Sequence, residues 1–333
     1  MLRPAACAER SADLLDILAI TFPIFAVVAF GYGMVRGGLF SGEDNATLGR
    51  FAMNVALPAL MFSAASGGGT GEGAIINLSY MATYALAGIL TIAAAWIWFK
   101  LNLTGSDTGP VRQAIAVMGS SCPNSAYVGF PVLMLAVPEI AAPVFAMNVM
   151  VESFLIVPLS FVILSGAART KGQPVGQTIM QTAWDVLRRP MVLAFLAGVV
   201  VSLLGIPVPE PVSRLVTMLA AATAGLALFF IGGSLTGLPL KGNKRMATEI
   251  VIAKLVIHPL MAALALSLIA FFGLPTLTGP LAVAVILSAA MPMIGVYAIF
   301  AQDYGHENLA ALAMMGATVG AFFTVSGLLV FLL

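Results

Sequence analysis

Hydrophobic positions in this chain are gathered into long runs separated by short polar connections. Counting about 20 apolar residues per bilayer crossing, the runs give ten candidate segments: Leu14–Gly37, Leu48–Ala65, Ile75–Phe99, Val111–Val137, Ala142–Ser165, Met191–Leu204, Val212–Leu235, Ala247–Phe272, Pro280–Ala301 and Leu309–Leu333. The sixth is short, and its start is expected nearer Val186. The pattern predicts an all-α membrane protein of ten transmembrane helices.

Segment 4 departs from this plain pattern. Its middle reads SSCPNSAYVGFPV, Ser120 to Val132. Pro123 has no N–H, and its ring crowds the carbonyl four residues back, so a helix must break there. Inside a bilayer, freed backbone groups persist only where protein or a water-filled cavity satisfies them. A break edged by Ser120, Ser121, Asn124 and Ser125 therefore predicts a binding site. Segment 9 repeats the feature in SAAMPMIGVYAIF, where Pro292 lies at matching depth between Met291 and Gly295. Interrupted helices at corresponding places in two halves of a chain point to a transporter site.

Composition agrees with the membrane assignment. The 333 residues are 60% hydrophobic and 9% charged, against about 25% charged in soluble domains. A net charge of +1 gives no basic stripe to follow phosphates, so nucleic acid is not an expected partner. Cys7 and Cys122 are too few and too far apart for a disulfide framework. His258 and His306 do not build a metal cluster, and no metal or cofactor is expected. No Ser/His/Asp, Cys/His or paired-carboxylate set converges at one depth, which argues against an enzyme.

Eleven Lys and Arg residues fall in the connections after segments 1, 3, 5 and 7, against Arg3, Arg10 and Arg214 on the other side. By the positive-inside bias those connections are cytoplasmic, and both termini face outward. The polar stretch 166–189 then reads as a cytoplasmic linker between two five-helix repeats, 14–165 and 190–333, after an N-terminal tail at 1–13. Five helices per repeat force opposite orientations, as an inverted repeat requires. The glycine-rich run Gly67 to Gly73 reads as an outer loop and not a phosphate cradle.

Glu152, about ten residues into segment 5, is the outstanding ionisable group of the apolar core. A carboxylate there is a functional candidate by default. It could bind a cation, exchange a proton, or brace Asn124 or Ser121. Asn148 lies one turn earlier on the same face. Lys254, about two turns from the cytoplasmic end of segment 8, is expected to snorkel, and His258 to be a satisfied helix histidine. Asn54 and Pro58 mark a smaller polar break in segment 2, and Asp303, His306 and Glu307 a solvated loop. With no Arg or Lys expected beside the break, an anion would be held by half-helix N-termini and amides.

The phrases GYGMVRGGLFS, RFAMNVALPALMFS, CPNSAYVGFPV, LRRPMVLAFLAG and MPMIGVYAIFAQDYG carry a resemblance. The chain resembles the auxin efflux carrier family, which includes the plant PIN-type exporters and bacterial malonate and malate permeases. The resemblance implies inverted repeats whose fourth and ninth helices cross at Pro123 and Pro292, with Asn124 at the crossover. It implies a scaffold of helices 1, 2, 6 and 7, and an elevator-type moving part of helices 3–5 and 8–10. It also implies homodimers through the scaffold. Glu152 falls where the plant carriers have a glutamine, and the region NLSYMATYALAG shows no counterpart of their helix 3 aspartate.

The expected function is thus secondary transport of a small carboxylate, malonate- or malate-like, across the inner or plasma membrane. The candidate substrate-binding residues are Ser121, Pro123, Asn124, Ser125, Asn148, Glu152, Met291, Pro292 and Gly295, with Glu152 the candidate for proton or ion coupling. The alternatives are transport of a cation or amine with Glu152 as counter-ion, and a non-transporting membrane sensor on the same fold.

Overall fold

The computed structural model describes residues 14–67, 76–102, 109–168, 184, 188–237 and 243–332. The expected tail at 1–13, most of the glycine-rich loop and most of the linker 166–189 lie outside the described residues. Among the described residues the regular structure is helical. In chain order it comprises α1 (Leu14–Arg36), α2 (Gly42–Ala65), α3 (Leu78–Asn102), α4 (Pro110–Ser121), α5 (Ser125–Ala136), α6 (Ala141–Ala167), α7 (Pro190–Leu203), α8 (Glu210–Ser234), α9 (Lys244–Phe271), α10 (Pro280–Ala289), α11 (Val296–Asp303) and α12 (Glu307–Leu332). Six of them, α2, α3, α6, α8, α9 and α12, are long and apolar enough to cross a bilayer. Large apolar side chains such as Phe22, Leu203, Phe271 and Phe331 stand exposed on the outside, where lipid can cover them. The chain is an all-α membrane protein.

Several boundaries differ from the hydropathy reading. α2 begins six residues before Leu48 because its polar first turn is capped. Ser41 Oγ accepts from the Asp44 N–H at 3.1 Å, and Asp44 Oδ2 accepts from the Ser41 N–H at 2.8 Å, a capping box that hydropathy ignores. Val186 lies outside the described residues, and α7 begins at Pro190 with Arg189 as its N-cap. Segment 4 is divided into α4 and α5, and segment 9 into α10 and α11, at the expected prolines.

Four helices contain a widened turn: Ala52–Ala56, Ser125–Gly129, Glu152–Ile156 and Ala253–Ile257. Each ends two residues before a proline, namely Pro58, Pro131, Pro158 and Pro259. The proline cannot donate to the carbonyl four residues back. Lengthening the hydrogen-bond loop by one residue re-pairs those carbonyls where no water can. The widened turns matter here because two of them carry Glu152 and Lys254.

Close helix contacts rest on glycine. A Cβ built on Gly232 of α8 would lie 1.9 Å from the Val28 carbonyl oxygen of α1, and one on Gly31 would lie 2.2 Å from the Phe229 oxygen. In lipid, where no hydrophobic force drives helix association, such close backbone packing holds helices together. Elsewhere α7 packs on α2, α3 on α9, and α9 on α12.

Candidate functional site

The two breaks meet. Between α4 and α5 the backbone turns extended at Cys122, and Pro123 pairs antiparallel with Met293 in the stretch between α10 and α11. The Asn124 N–H donates to the Pro292 carbonyl at 2.7 Å, and the Ile294 N–H donates to the Cys122 carbonyl at 3.0 Å. These bonds satisfy backbone groups that the prolines release. Asn124 then caps α5, its Oδ1 accepting from the Tyr127 N–H at 3.0 Å. Pro123, Asn124, Met291 and Pro292 are therefore brought together, with Gly295 just beyond on the second strand.

Helices α3 and α6 clamp this crossing through an i, i+4 pair on each. Glu152 Oε1 accepts from Tyr84 Oη at 2.7 Å and from Ser125 Oγ at 2.5 Å. One turn away, Asn148 Oδ1 accepts from Tyr80 Oη at 2.8 Å, while its Nδ2 donates to Ser288 Oγ at 2.8 Å. Thus Glu152 reaches the start of α5 and Asn148 reaches the end of α10. Of the braces expected for Glu152, neither Asn124 nor Ser121 is its partner; Ser125 is. Ser121 turns the other way, donating to the Val117 carbonyl at 2.9 Å and lying 3.3 Å from Ser160 of α6.

Lys254 overturns the snorkelling expectation. It is fully buried. Its Nζ donates to the Ala289 carbonyl at 2.8 Å, at the last residue of α10, and is hydrogen-bonded with His258 Nδ1 at 2.7 Å. Lys254 lies in the widened turn of α9, and its side chain reaches a carbonyl at the negative end of a half-helix, so it does not run along the helix to water. The apolar core therefore does hold a lysine beside the crossing, contrary to the expectation that none lies there. His258 is satisfied, as expected. Residues Asp303 and Glu307 are exposed. The half-buried His306 is held below the usual histidine range by burial and by Arg112.

A cavity opens on the crossing. It offers about 60 Å³ of space to water centres, and its polar lining residues include Asn124, Ser125, Glu152, Ser153 and Arg189, among apolar walls from Met53 to Phe300. Space of that size admits several waters. Ala126 and Tyr127 also line it, so the N-terminal turn of α5 faces the cavity. Of the residues expected at the site, Asn124, Ser125 and Glu152 line the cavity; Asn148 stands one layer behind, on Tyr80 and Ser288. Sequence reasoning passed over three contributors, Tyr80, Tyr84 and Arg189, and sent Lys254 to the surface. The Tyr80/Tyr84 spacing on α3 was a readable signal, since it matches Asn148/Glu152 on α6. Among the described residues, no three His, Cys, Asp or Glu side chains gather to hold a metal ion.

The chain matches a family model described as "Membrane transport protein" over residues 17–329. It is 29% identical over 321 residues to a Rhizobium meliloti protein named "Putative malonate transporter", covering 95% of this chain and 96% of that one. It is also 29% identical over 257 residues to a Methanothermobacter thermautotrophicus protein named "Uncharacterized transporter", covering 75% of this chain and 78% of that one. Against auxin efflux carrier component 2 of Arabidopsis thaliana it is 24% identical over 145 residues, 43% of this chain and 21% of the plant protein.

Proposed function

We infer, because the chain belongs to the membrane transport protein family that also holds the auxin efflux carriers, that it is a secondary transporter of a small organic anion, a malonate- or malate-like carboxylate. The observation that carries this reading is the cavity at the crossing, where the N-terminal turn of α5, the Asn124 amide and Arg189 converge. A helix N-terminus offers N–H groups and a positive dipole end to a carboxylate. Arg189 adds a full charge suited to carboxylate geometry. The name of the Rhizobium relative points to the same substrate class.

In this reading Asn124, Ser125 and main-chain N–H groups beside the breaks at Pro123 and Pro292, around Met291 and Gly295, receive the anion. Asn148 braces the end of α10 from behind the crossing, Ser121 ties the end of α4 to α6, and Glu152 couples transport to a proton or ion. Ten crossings form two inverted repeats, 14–165 and 190–333, joined by the linker 166–189, with both termini outside the cell membrane. The helices around the crossing move as an elevator against a scaffold that pairs two copies of the chain. Glu152 on the cavity wall supports one competing reading, in which the solute is a cation or amine and Glu152 its counter-ion.

Thermal-shift screening of the purified chain against mono- and dicarboxylates, amines and auxin tests the choice, because a ligand that binds the folded state stabilises it by mass action. A dicarboxylate should raise the melting temperature, and Asn124→Ala should abolish the rise. A response confined to amines and lost in Glu152→Gln would replace the anion reading with the cationic one.

A further inference from the structure

Tyr127 belongs both to the cavity and to the helices beside it. It is the third residue of α5, it is buried, and it lines the cavity. Its main-chain N–H donates to Asn124 Oδ1 at 3.0 Å. A backbone N–H can only donate, so this bond settles which way round the Asn124 amide stands. Oδ1 is engaged within the turn, and the donor end, Nδ2, is left for the cavity that Asn124 lines. The Tyr127 side chain makes a different connection. Its hydroxyl donates to the Gly49 carbonyl of α2 at 3.4 Å, and its ring centre lies 5.1 Å from that of Phe230 of α8.

The two helices that receive Tyr127 are packed tightly on each other. A Cβ built on Gly49 would lie 2.5 Å from the Phe230 ring, and one on Gly233 of α8 would lie 2.4 Å from Asn45 Oδ1 of α2. Asn45 Nδ2 donates to the Phe230 carbonyl at 3.1 Å. By contrast α5 is held to them lightly. Among the described residues the bond from Tyr127 to Gly49 is the one side-chain hydrogen bond between α5 and either helix, and at 3.4 Å it is long. On its other side α5 is held by short bonds, from Ser125 to Glu152 at 2.5 Å and from Asn124 to the Pro292 carbonyl at 2.7 Å. The start of α5 is thus fixed to the crossing and to α6, and meets α2 and α8 through a join that can part and re-form.

We propose that Tyr127 is a positioning residue with two separable tasks: its main-chain N–H orients Asn124 for the substrate, and its hydroxyl latches the crossing to α2 in the arrangement described above. This rests on the anion reading and on the movement of the crossing proposed with it. The first task sets affinity and needs no side chain. The second sets rate, because the crossing cannot move against α2 and α8 until the bond to Gly49 has parted and the Tyr127 ring has left Phe230. Substrate binding and the latch meet in one residue, one bond away from Asn124.

The test separates affinity from rate in the full-length chain. Calorimetric titration of malonate gives the affinity, and uptake of radiolabelled malonate into proteoliposomes gives the maximal rate. Tyr127→Phe keeps the N–H and the ring and deletes only the hydroxyl. Its affinity should stay within about twofold of wild type while its maximal rate changes by about threefold or more, the factor that one average hydrogen bond between membrane helices represents. The rate rises if departure from this arrangement limits the cycle and falls if return to it does. Phe230→Leu, which removes the ring contact from the other side, should give the same split. An unchanged maximal rate in both variants overturns the proposal, and so does a loss of affinity that matches the loss of rate; either result leaves the anion reading intact. Absence of malonate binding by the wild-type chain instead overturns the anion reading and the proposal with it.

Discussion

Tyr80, Asn148 and Ser288 form a buried relay joining α3, α6 and α10, and each of the three is fully enclosed. Tyr80→Phe deletes the hydroxyl that donates to Asn148 Oδ1 at 2.8 Å; Asn148→Ala deletes that acceptor and the 2.8 Å donor to Ser288. Hydrogen bonds between membrane helices contribute about 0.6 kcal/mol on average and reach about 1.7 kcal/mol. One such bond sets the expected loss for Tyr80→Phe at about 1 kcal/mol. Asn148→Ala loses two bonds and leaves polar partners buried, so about 1–3 kcal/mol is expected. The two residues touch, so their effects should not add. A double-mutant cycle should return a coupling of about 0.6–1.7 kcal/mol. The assay is reversible unfolding in mixed micelles by titration with a denaturing detergent, on wild type, both single variants and the double. Fully additive losses would show that Tyr80 and Asn148 do not act as one unit and would remove the relay from the account.

Gly232→Val should prevent α1 and α8 from packing, because even a Cβ would sit 1.9 Å from the Val28 oxygen. Loss of monodisperse folded protein in size-exclusion chromatography is the expected outcome, and a normally folded variant would contradict that contact. Arg189→Ala should weaken carboxylate binding several-fold with little change in melting temperature, since Arg189 lines the cavity wall and is only partly buried; thermal-shift titration checks it. Glu152→Gln should make substrate uptake independent of pH in proteoliposomes, and an unchanged pH profile would remove the coupling role from Glu152.

The breaks were legible because proline carries its constraint wherever it stands: Pro123 and Pro292 cannot donate, and the helices stop on either side of them. Their pairing was not derivable from local pattern, because the hydrogen bond from Asn124 to Pro292 joins positions far apart in the chain. It was expected through family resemblance instead. Glu152 was visible as a lone charge in an apolar run, but its partners were misplaced; Ser125 and Tyr84, not Asn124 or Ser121, meet it. Lys254 misled the reading for a physical reason. Distance from a helix end does not tell which face a side chain occupies, and Lys254 faces the Ala289 carbonyl in the interior. The start of α2 hid in polar residues because hydropathy reports burial in lipid, whereas Ser41 and Asp44 act through backbone hydrogen bonds.

The central claim is that this chain carries a small carboxylate through the crossing of its broken helices. Uptake of radiolabelled malonate into proteoliposomes, by wild type and by Asn124→Ala at equal folded protein, tests it most directly. The account predicts saturable uptake by wild type, suppressed by unlabelled dicarboxylates, and at least a tenfold loss in Asn124→Ala. Uptake unaltered by Asn124→Ala, or none by wild type, would contradict it.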